Sequence, residues 1–161
     1  MGALQVYASY IDEPILIDRN SSGWSQYYYS RNQQYSITGL TDSSGNLVER
    51  YAYDSSGNTT ILASDGTTVR STSSYSNNFM FTGRLYHSSG QSIYYFRARM
   101  YDPQLGRFMG RDPLGYVDGM SLYRGYYAVG GLDSSGLCQE EIKKIYGAIG
   151  NISAKKGEVQ I

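Results

Sequence analysis

Short apolar and aromatic stretches alternate with polar, glycine-containing turns along the first 137 residues of this chain. Stretches of this length, bounded by Gly, Asp, Ser and Asn, are typical of short strands joined by tight turns. No segment before residue 138 has the apolar spacing of a helix. The pattern therefore predicts an all-β fold, an antiparallel meander. Its predicted strands are 26–29, 35–40, 47–53, 58–62, 68–75, 79–82, 93–97 and 100–101.

The polar turns carry an internal repeat. The residues DSSGN occupy positions 42–46 and again 54–58, and weaker echoes stand at 64–69, 87–96 and 133–137. In such a turn the Asp side chain accepts hydrogen bonds from the backbone two residues further on, and Gly supplies the positive φ. The repeat thus predicts a succession of turn and strand at intervals that suit an antiparallel meander.

The chain changes character at residue 138. The stretch CQEEIKKIYGAIGNI places Ile142, Ile145, Tyr146, Ile149 and Ile152 at helical spacing. Acidic residues come early in this stretch and lysines follow them, which favours a helix. We therefore predict a boundary near 137/138, with β-structure before it and one short helix after it.

Composition narrows the class of protein. The 161 residues include 18 Tyr and 19 Gly beside 4 Phe and 1 Trp, which suits half-exposed strands joined by glycine turns. The 14 basic and 14 acidic residues cancel, whereas a protein that binds nucleic acid carries a basic field. We expect neither a nucleic-acid partner nor a disordered acidic tail.

The sequence offers little conventional site chemistry. Cys138 is the single cysteine and His87 the single histidine, so neither a disulfide framework nor a metal site is expected, and no cofactor. No apolar run is long enough to span a bilayer. The N-terminal stretch lacks the basic start and long apolar run of a secretion signal.

The predicted meander has open edges. Unpaired strand edges invite pairing with other strands unless they are closed or covered. A chain of this length makes only part of a curved sheet. The sequence is therefore interpreted as the end of something larger, or as a unit that associates with copies of itself through its strand edges.

Two stretches resemble a known family. GLTDSSGNLVERYAYDSSGN, residues 39–58, resembles the YD repeat, and the stretch 81–115 is similar to the C-terminal core region of Rhs-repeat proteins. The likeness runs from about Tyr10 to Leu137 and divides the chain into repeat strands (1–93), core motif (94–137) and a short variable tail (138–161). The matching core-motif positions are Arg97, Arg99, Tyr101, Asp102, Pro103, Gly106, Arg107, Phe108, Pro113 and Gly115.

The resemblance implies a fold and a task. Members of this family wind YD-repeat strands into a large hollow β-shell, and the core region closes one end and plugs inward. A polymorphic C-terminal segment, often a toxin, lies inside as cargo. Such chains are exported or associated with the cell surface. In several members the core region cleaves the chain just after a terminal Asp-Pro-x-Gly-Leu motif, in the manner of an aspartic peptidase.

Carried over residue by residue, the resemblance names a candidate cleavage site. Asp112 matches the family's Asp-Pro-x-Gly step, and Asp133 stands where the final motif has its Asp. Arg111, directly before Asp112, is the candidate guanidinium that would keep one carboxylate ionised or hold the carbonyl. The bond between Leu137 and Cys138 would then be cut. The proposed chemistry needs two close carboxylates, of which one holds a proton and the other activates water. Asp118, which lies between Asp112 and Asp133 in the sequence, is the reserve candidate for one of the two carboxylates.

The final motif departs from the family pattern. Ser134 stands where the family has Pro, which alters the turn that positions Asp133, and YRGYYAVGGLD replaces the usual Asn-Pro link. Asp-Pro and Asp-Ser-Ser-Gly are also ordinary turn starters in which Asp caps the turn. The alternatives are a non-catalytic adhesion module, with Trp24 and Tyr27 to Tyr29 as a platform for glycan or protein, and a truncated remnant without activity of its own.

Overall fold

The first sheet is a seven-stranded antiparallel meander in chain order. The computed structural model describes residues 3–8, 13–20, 23–88, 91–118 and 120–125. Each strand of this sheet hydrogen-bonds to the next, so β1 and β7 form its two edges. The strands are β1 (Ala3–Tyr7), β2 (Pro14–Asn20), β3 (Trp24–Arg31), β4 (Ile37–Asp42), β5 (Leu47–Tyr53), β6 (Thr59–Ala63) and β7 (Val69–Arg70).

A second, smaller sheet is built from the core motif and the residues just before it. Its order is β11-β10-β9-β8, again antiparallel throughout. The strands are β8 (Leu85–His87), β9 (Ile93–Phe96), β10 (Arg99–Asp102) and β11 (Arg107–Phe108). A 3₁₀ turn at Phe81–Gly83 leads into this sheet, and another at Gly115–Asp118 follows it. The prediction of an all-β antiparallel fold is therefore confirmed. Among the described residues no helix is long and apolar enough to cross a membrane.

The repeated DSSGN turns have the local chemistry that the sequence predicts. In the first turn, Asp42 Oδ1 accepts the backbone N–H groups of Ser44 (2.9 Å) and Asn46 (2.8 Å). In the second, Asp54 Oδ1 accepts the equivalent N–H groups two and four residues on, at 2.8 and 2.9 Å. Gly45 and Gly57 take φ values of 83° and 90°, which L side chains rarely adopt.

The core lies between the two sheets and is strongly aromatic. The rings of Phe96, Tyr101 and Phe108 meet edge to face, with centroids 5.6 to 5.7 Å apart. Such contacts add to the area that the rings remove from water. The buried cluster comprises Ile37, Leu40, Tyr51, Ile61, Met80, Phe81, Tyr94, Phe96, Tyr101 and Phe108.

Two predicted strands differ from the structure. The stretch 79–82 is wrong as a strand, because Phe79 forms only an isolated bridge to Leu85 and the chain then turns through Phe81–Gly83, with Thr82 at φ 49°. Of the predicted strand 68–75, only Val69 and Arg70 pair. The sequence also missed β1, β2, β8 and β11. The helix predicted after residue 138 lies outside the described residues.

The turn aspartates predict acid sensitivity. Hydrogen bonds from Asn46, Asn58 and Thr68 hold the pKa values of Asp42, Asp54 and Asp65 below the ordinary value. A carboxyl with a lowered folded pKa stabilises the fold above its ordinary pKa of 3.8 and loses that contribution as pH falls through the folded pKa. The free energy of unfolding of the wild type, measured in urea, should therefore fall more between about pH 5 and about pH 2 than that of a variant in which all three aspartates are replaced by Asn. If the free energy of unfolding depends on pH equally in the two proteins, the turn aspartates are not the source of the acid sensitivity.

Candidate functional site

The centre of the core motif is a tight hairpin. β9 and β10 pair with Phe96 opposite Arg99 and Tyr94 opposite Tyr101. Arg97 and Ala98 make the two-residue turn between them, and Arg97 takes a φ of 61°. A two-residue hairpin turn needs a positive φ at its start, a position that usually carries Gly. The turn therefore fixes which face of β10 points into the core.

A buried ion pair joins this hairpin to the Asp-Pro step. Arg99 Nη1 lies 3.1 Å from Asp112 Oδ2, and the two side chains are only 4% and 11% exposed. The guanidinium carbon of Arg99 also lies over the ring of Phe108, 3.7 Å from its centroid. The ring face attracts the cation, and the carboxylate balances its charge in a partly desolvated setting.

The backbone holds Asp112 in place from both sides. Its Oδ1 accepts the N–H of Leu114 at 2.9 Å, and its own N–H donates to the carbonyl of Leu122 at 2.8 Å. The N–H of Gly115, which has a φ of 69°, donates to the Asp112 carbonyl at 3.0 Å. Asp112 therefore caps the turn at Pro113 and anchors Arg99 at the same time.

The remaining motif residues build the hairpin from β10 to β11. Asp102 Oδ1 accepts the N–H groups of Gln104 (2.8 Å) and Leu105 (3.1 Å). Gly106 then takes a φ of 63° and lets the chain return. Pro103 is fully buried in this loop, whereas Arg107 is exposed, with its guanidinium near the ring of Tyr123.

The second sheet docks on the second DSSGN turn, a feature that the sequence did not predict. The hydroxyl of Tyr94 donates to the Gly57 carbonyl (3.0 Å), and the hydroxyl of Tyr101 donates to the Ser56 carbonyl (2.8 Å). Burial raises the pKa of Tyr101 to about 12 and raises that of Tyr94 as well, so both hydroxyls stay protonated donors. The Asn58 side-chain amide adds a bond to the Pro103 carbonyl at 3.0 Å.

The first sheet contains a buried carboxylate that the sequence analysis also missed. The side chain of Glu49 is 0% exposed. Its Oε1 accepts from Arg70 Nη1 (2.9 Å) and from the Ser74 N–H (2.9 Å). Its Oε2 accepts from the hydroxyls of Ser73 (2.5 Å) and Tyr51. Strand geometry was the available signal, since residues two apart in a strand share a face and the predicted strand 47–53 therefore places Glu49 on the same face as Tyr51.

The structure describes three residues of the predicted cleavage site, Asp112, Arg111 and Asp118, and no contact between them is among the described contacts. Asp112 meets Arg99, whereas the Nε of Arg111 donates to the Tyr123 hydroxyl at 3.3 Å. Asp118 ends the 3₁₀ turn Gly115–Asp118. Within the described ranges no group of three His, Cys, Asp or Glu side chains could hold a metal ion. Three predicted site residues, Asp133, Leu137 and Cys138, lie outside the described residues, so the paired-carboxylate site stays a prediction.

Comparisons with known proteins find sequence similarity to segments of much longer bacterial proteins. The chain is 32% identical over 122 residues to the tRNA3(Ser)-specific nuclease WapA of Bacillus spizizenii. It is 29% identical over 97 residues to the toxin subunit YenC1 of Yersinia entomophaga. These matches cover 76% and 60% of this chain but only 5% and 9% of the relatives. No protein-family model matches the chain.

Solved structures agree on the fold. The crystal structure of TcdB2-TccC3 aligns with a TM-score of 0.68 at 23% identity, over 84% of this chain and 7% of that one. A TcdB2-TccC3 structure without the hypervariable C-terminal region aligns with a TM-score of 0.66 at 22% identity, over 84% of this chain and 6% of that one. The chain is thus partially homologous to WapA and YenC1 and has the fold of a segment of TcdB2-TccC3. This homology is consistent with the Rhs/YD-repeat family.

Proposed function

We propose that this chain is a wall segment of an Rhs-type β-shell, which encloses or presents a C-terminal segment as cargo. One observation carries the proposal. The seven-stranded meander ends at β1, whose outer edge pairs with no strand in the described part of the chain. That edge strand exposes Leu4 (60%) and Val6 (44%). An exposed, apolar edge of this length is a template for a further strand.

The rest of the fold suits the same task. The core motif does not extend the meander but forms a separate sheet, which packs on it through the turn 54–58. A repeat sheet with an open edge strand, on which a separate motif sheet folds back, has the layout of a terminal wall. The larger relatives supply the context of this proposal, since the chain spans under a tenth of their length.

Association through the β1 edge is the expected behaviour of the isolated chain. Light scattering should give a molar mass that rises with protein concentration, because the open edges pair. The double variant Leu4→Lys/Val6→Lys should stay monomeric, since lysines on an edge strand oppose pairing. Leu105→Lys is the matched control, as Leu105 is 62% exposed but lies in the loop between β10 and β11. A wild type that is monomeric at every concentration would contradict the proposal.

We further propose that the core motif cleaves the chain after Leu137, with Asp112 and Asp133 as the carboxylate pair. The observation that favours this role is the setting of Asp112, which is fixed by the backbone and by a buried guanidinium. A pre-positioned carboxylate avoids reorganisation during the reaction. In this proposal Arg99, and not Arg111, is the guanidinium that balances the charge of the site.

Self-cleavage predicts a specific pair of masses. Purified wild type should separate into fragments 1–137 and 138–161, while Asp112→Asn and Asp133→Asn stay whole. Asp42→Asn is the matched control, because Asp42 caps the first DSSGN turn through bonds within residues 42–46 and its loss should leave cleavage intact. Intact-mass spectrometry reads the result, and circular dichroism confirms folding. If all four folded proteins keep the full mass, Asp112 is a turn cap and the partner of Arg99 only.

A further inference from the structure

The first sheet has an apolar corner on its outer face, the face turned away from the buried side chain of Ile17. Val6 of β1 stands opposite Leu16 of β2, and Leu16 stands opposite Tyr28 of β3. Residues that are directly opposite each other in a sheet share a face, so these three side chains lie together. Leu4, Val6 and Tyr28 are exposed. The corner adjoins the open edge of β1, so a strand that pairs there continues this apolar surface.

One carboxylate oxygen in this corner is buried without a donor. Asp18 stands opposite Leu4 on β1 and opposite Gln26 on β3, so it belongs to the same face. Its Oδ1 is buried and accepts no hydrogen bond from the described residues. The neighbouring Arg19 points to the other face, where its Nη1 donates to the Ser74 carbonyl at 2.8 Å. A buried carboxylate oxygen that meets no donor is costly, so Asp18 indicates a cationic partner beyond the described strands.

We infer that the strand that pairs with β1 in the shell wall carries an arginine or a lysine that binds Asp18. The inference rests on the proposed function and adds the chemistry of the partner strand. That strand lies two strand spacings from β2, which is about 10 Å. An aspartate side chain is short, so only a long cationic side chain from the new strand completes the distance. Its aliphatic stem then covers the exposed Leu4, and its charge meets the carboxylate.

The repeat strand β5 has the pattern that this partner requires. Val48 and Arg50 lie two residues apart on the outer face of β5, and Arg50 is exposed there. An antiparallel partner strand of this sequence places Arg50 opposite Leu4 when its Val48 is opposite Val6. In that register the two valines pack together and the guanidinium points along the row that contains Asp18.

Peptide binding with an exchange of charges tests the inference on the full chain. Hydrogen exchange of residues 3–7 is measured at a concentration where the chain is monomeric, during titration with a synthetic peptide of the β5 sequence, Leu47–Tyr53. A second peptide carries Arg50→Glu. The wild type should bind the arginine peptide about fivefold more tightly than the glutamate peptide. Asp18→Lys should reverse this preference, and Asp18→Asn should abolish it.

The controls separate the charge of Asp18 from the charge of the surface. Thr60 is exposed on β6, on the far side of the sheet from β1, so Thr60→Lys should keep the preference of the wild type. Circular dichroism checks that Asp18→Lys is folded, and the nearly isosteric Asp18→Asn carries the test if it is not.

Equal binding of the two peptides by the wild type, or an unchanged preference in Asp18→Asn, overturns the inference. The wall proposal survives that result, because β1 still accepts a strand. Protection of residues 3–7 by neither peptide also overturns the inference, and the light-scattering experiment then decides the wall proposal by itself.

Discussion

Replacing Gly57 by alanine is expected to destabilise the fold by about 2 to 5 kcal/mol. Gly57 has a φ of 90°, and a Cβ added there would lie 2.5 Å from Cδ1 of Phe81. The Phe81 ring has little room to move, because Tyr53 and Tyr94 pack against it with centroids 5.7 and 6.0 Å away. The substitution therefore combines backbone strain with overpacking, at the point where the second sheet docks.

Gly45 is the matched control for this experiment. It occupies the same position of the first DSSGN turn with a φ of 83°, yet a Cβ added there would meet nothing within 4 Å. Gly45→Ala should cost about 1 kcal/mol, from the positive φ alone. Urea unfolding of the two variants separates the effects. Equal losses would show that contact with the Phe81 ring adds nothing to the cost of the Gly57 substitution.

Replacing Glu49 by alanine is expected to cost about 3 to 5 kcal/mol. The fully buried carboxylate accepts hydrogen bonds from four groups, and its removal leaves those donors without their acceptor. One of these donors is the guanidinium of Arg70, whose side chain is partly buried. Burial raises the pKa of Tyr51, and the neighbouring carboxylate adds to the effect, so the Tyr51 hydroxyl remains a donor. The network thus ties β5 to β7 and to the loop at 73–74.

Glu13 provides the comparison for the Glu49 experiment. Its carboxylate also pairs with an arginine, Arg31, but the two side chains are 19% and 29% exposed. Water replaces the lost partner more easily at a partly exposed pair, so Glu13→Ala should cost less than about 1 kcal/mol. Thermal and urea unfolding measure both variants. A Glu49→Ala protein as stable as Glu13→Ala would mean that the buried network is dispensable.

Contacts between residues close in sequence were predictable, whereas contacts between residues far apart in sequence were not. The DSSGN turns were predictable because Asp bonds the backbone within four residues, and the hydrogen bonds of Asp42 and Asp54 follow that rule. The docking of Tyr101 on Ser56 joins residues 45 positions apart, and no periodicity signals such a contact. The strand predicted at 79–82 was wrong because an apolar run does not distinguish a strand from a buried turn.

In the candidate site, too, one residue was identified from the sequence and its partner was not. The sequence identified Asp112 through the motif that contains it, but nearness in sequence favoured Arg111 as its partner. Strand alternation instead places Arg99 on the same face of β10 as Tyr101, which points it into the core and toward Asp112. Arg111 is exposed and bonds Tyr123. A rule based on strand alternation would have found the pair only if the bounds of β10 had been known.

Hydrogen exchange along β1 tests the wall proposal most directly. If β1 is the edge at which a further strand of the shell pairs, peptides that cover Ala3–Tyr7 should gain protection as protein concentration rises and the chains associate. Peptides that cover Ile93–Phe96 and Arg99–Asp102 should not change, because those strands already pair on both sides. Protection that appears in the second sheet instead, or association that leaves β1 unprotected, would contradict the account.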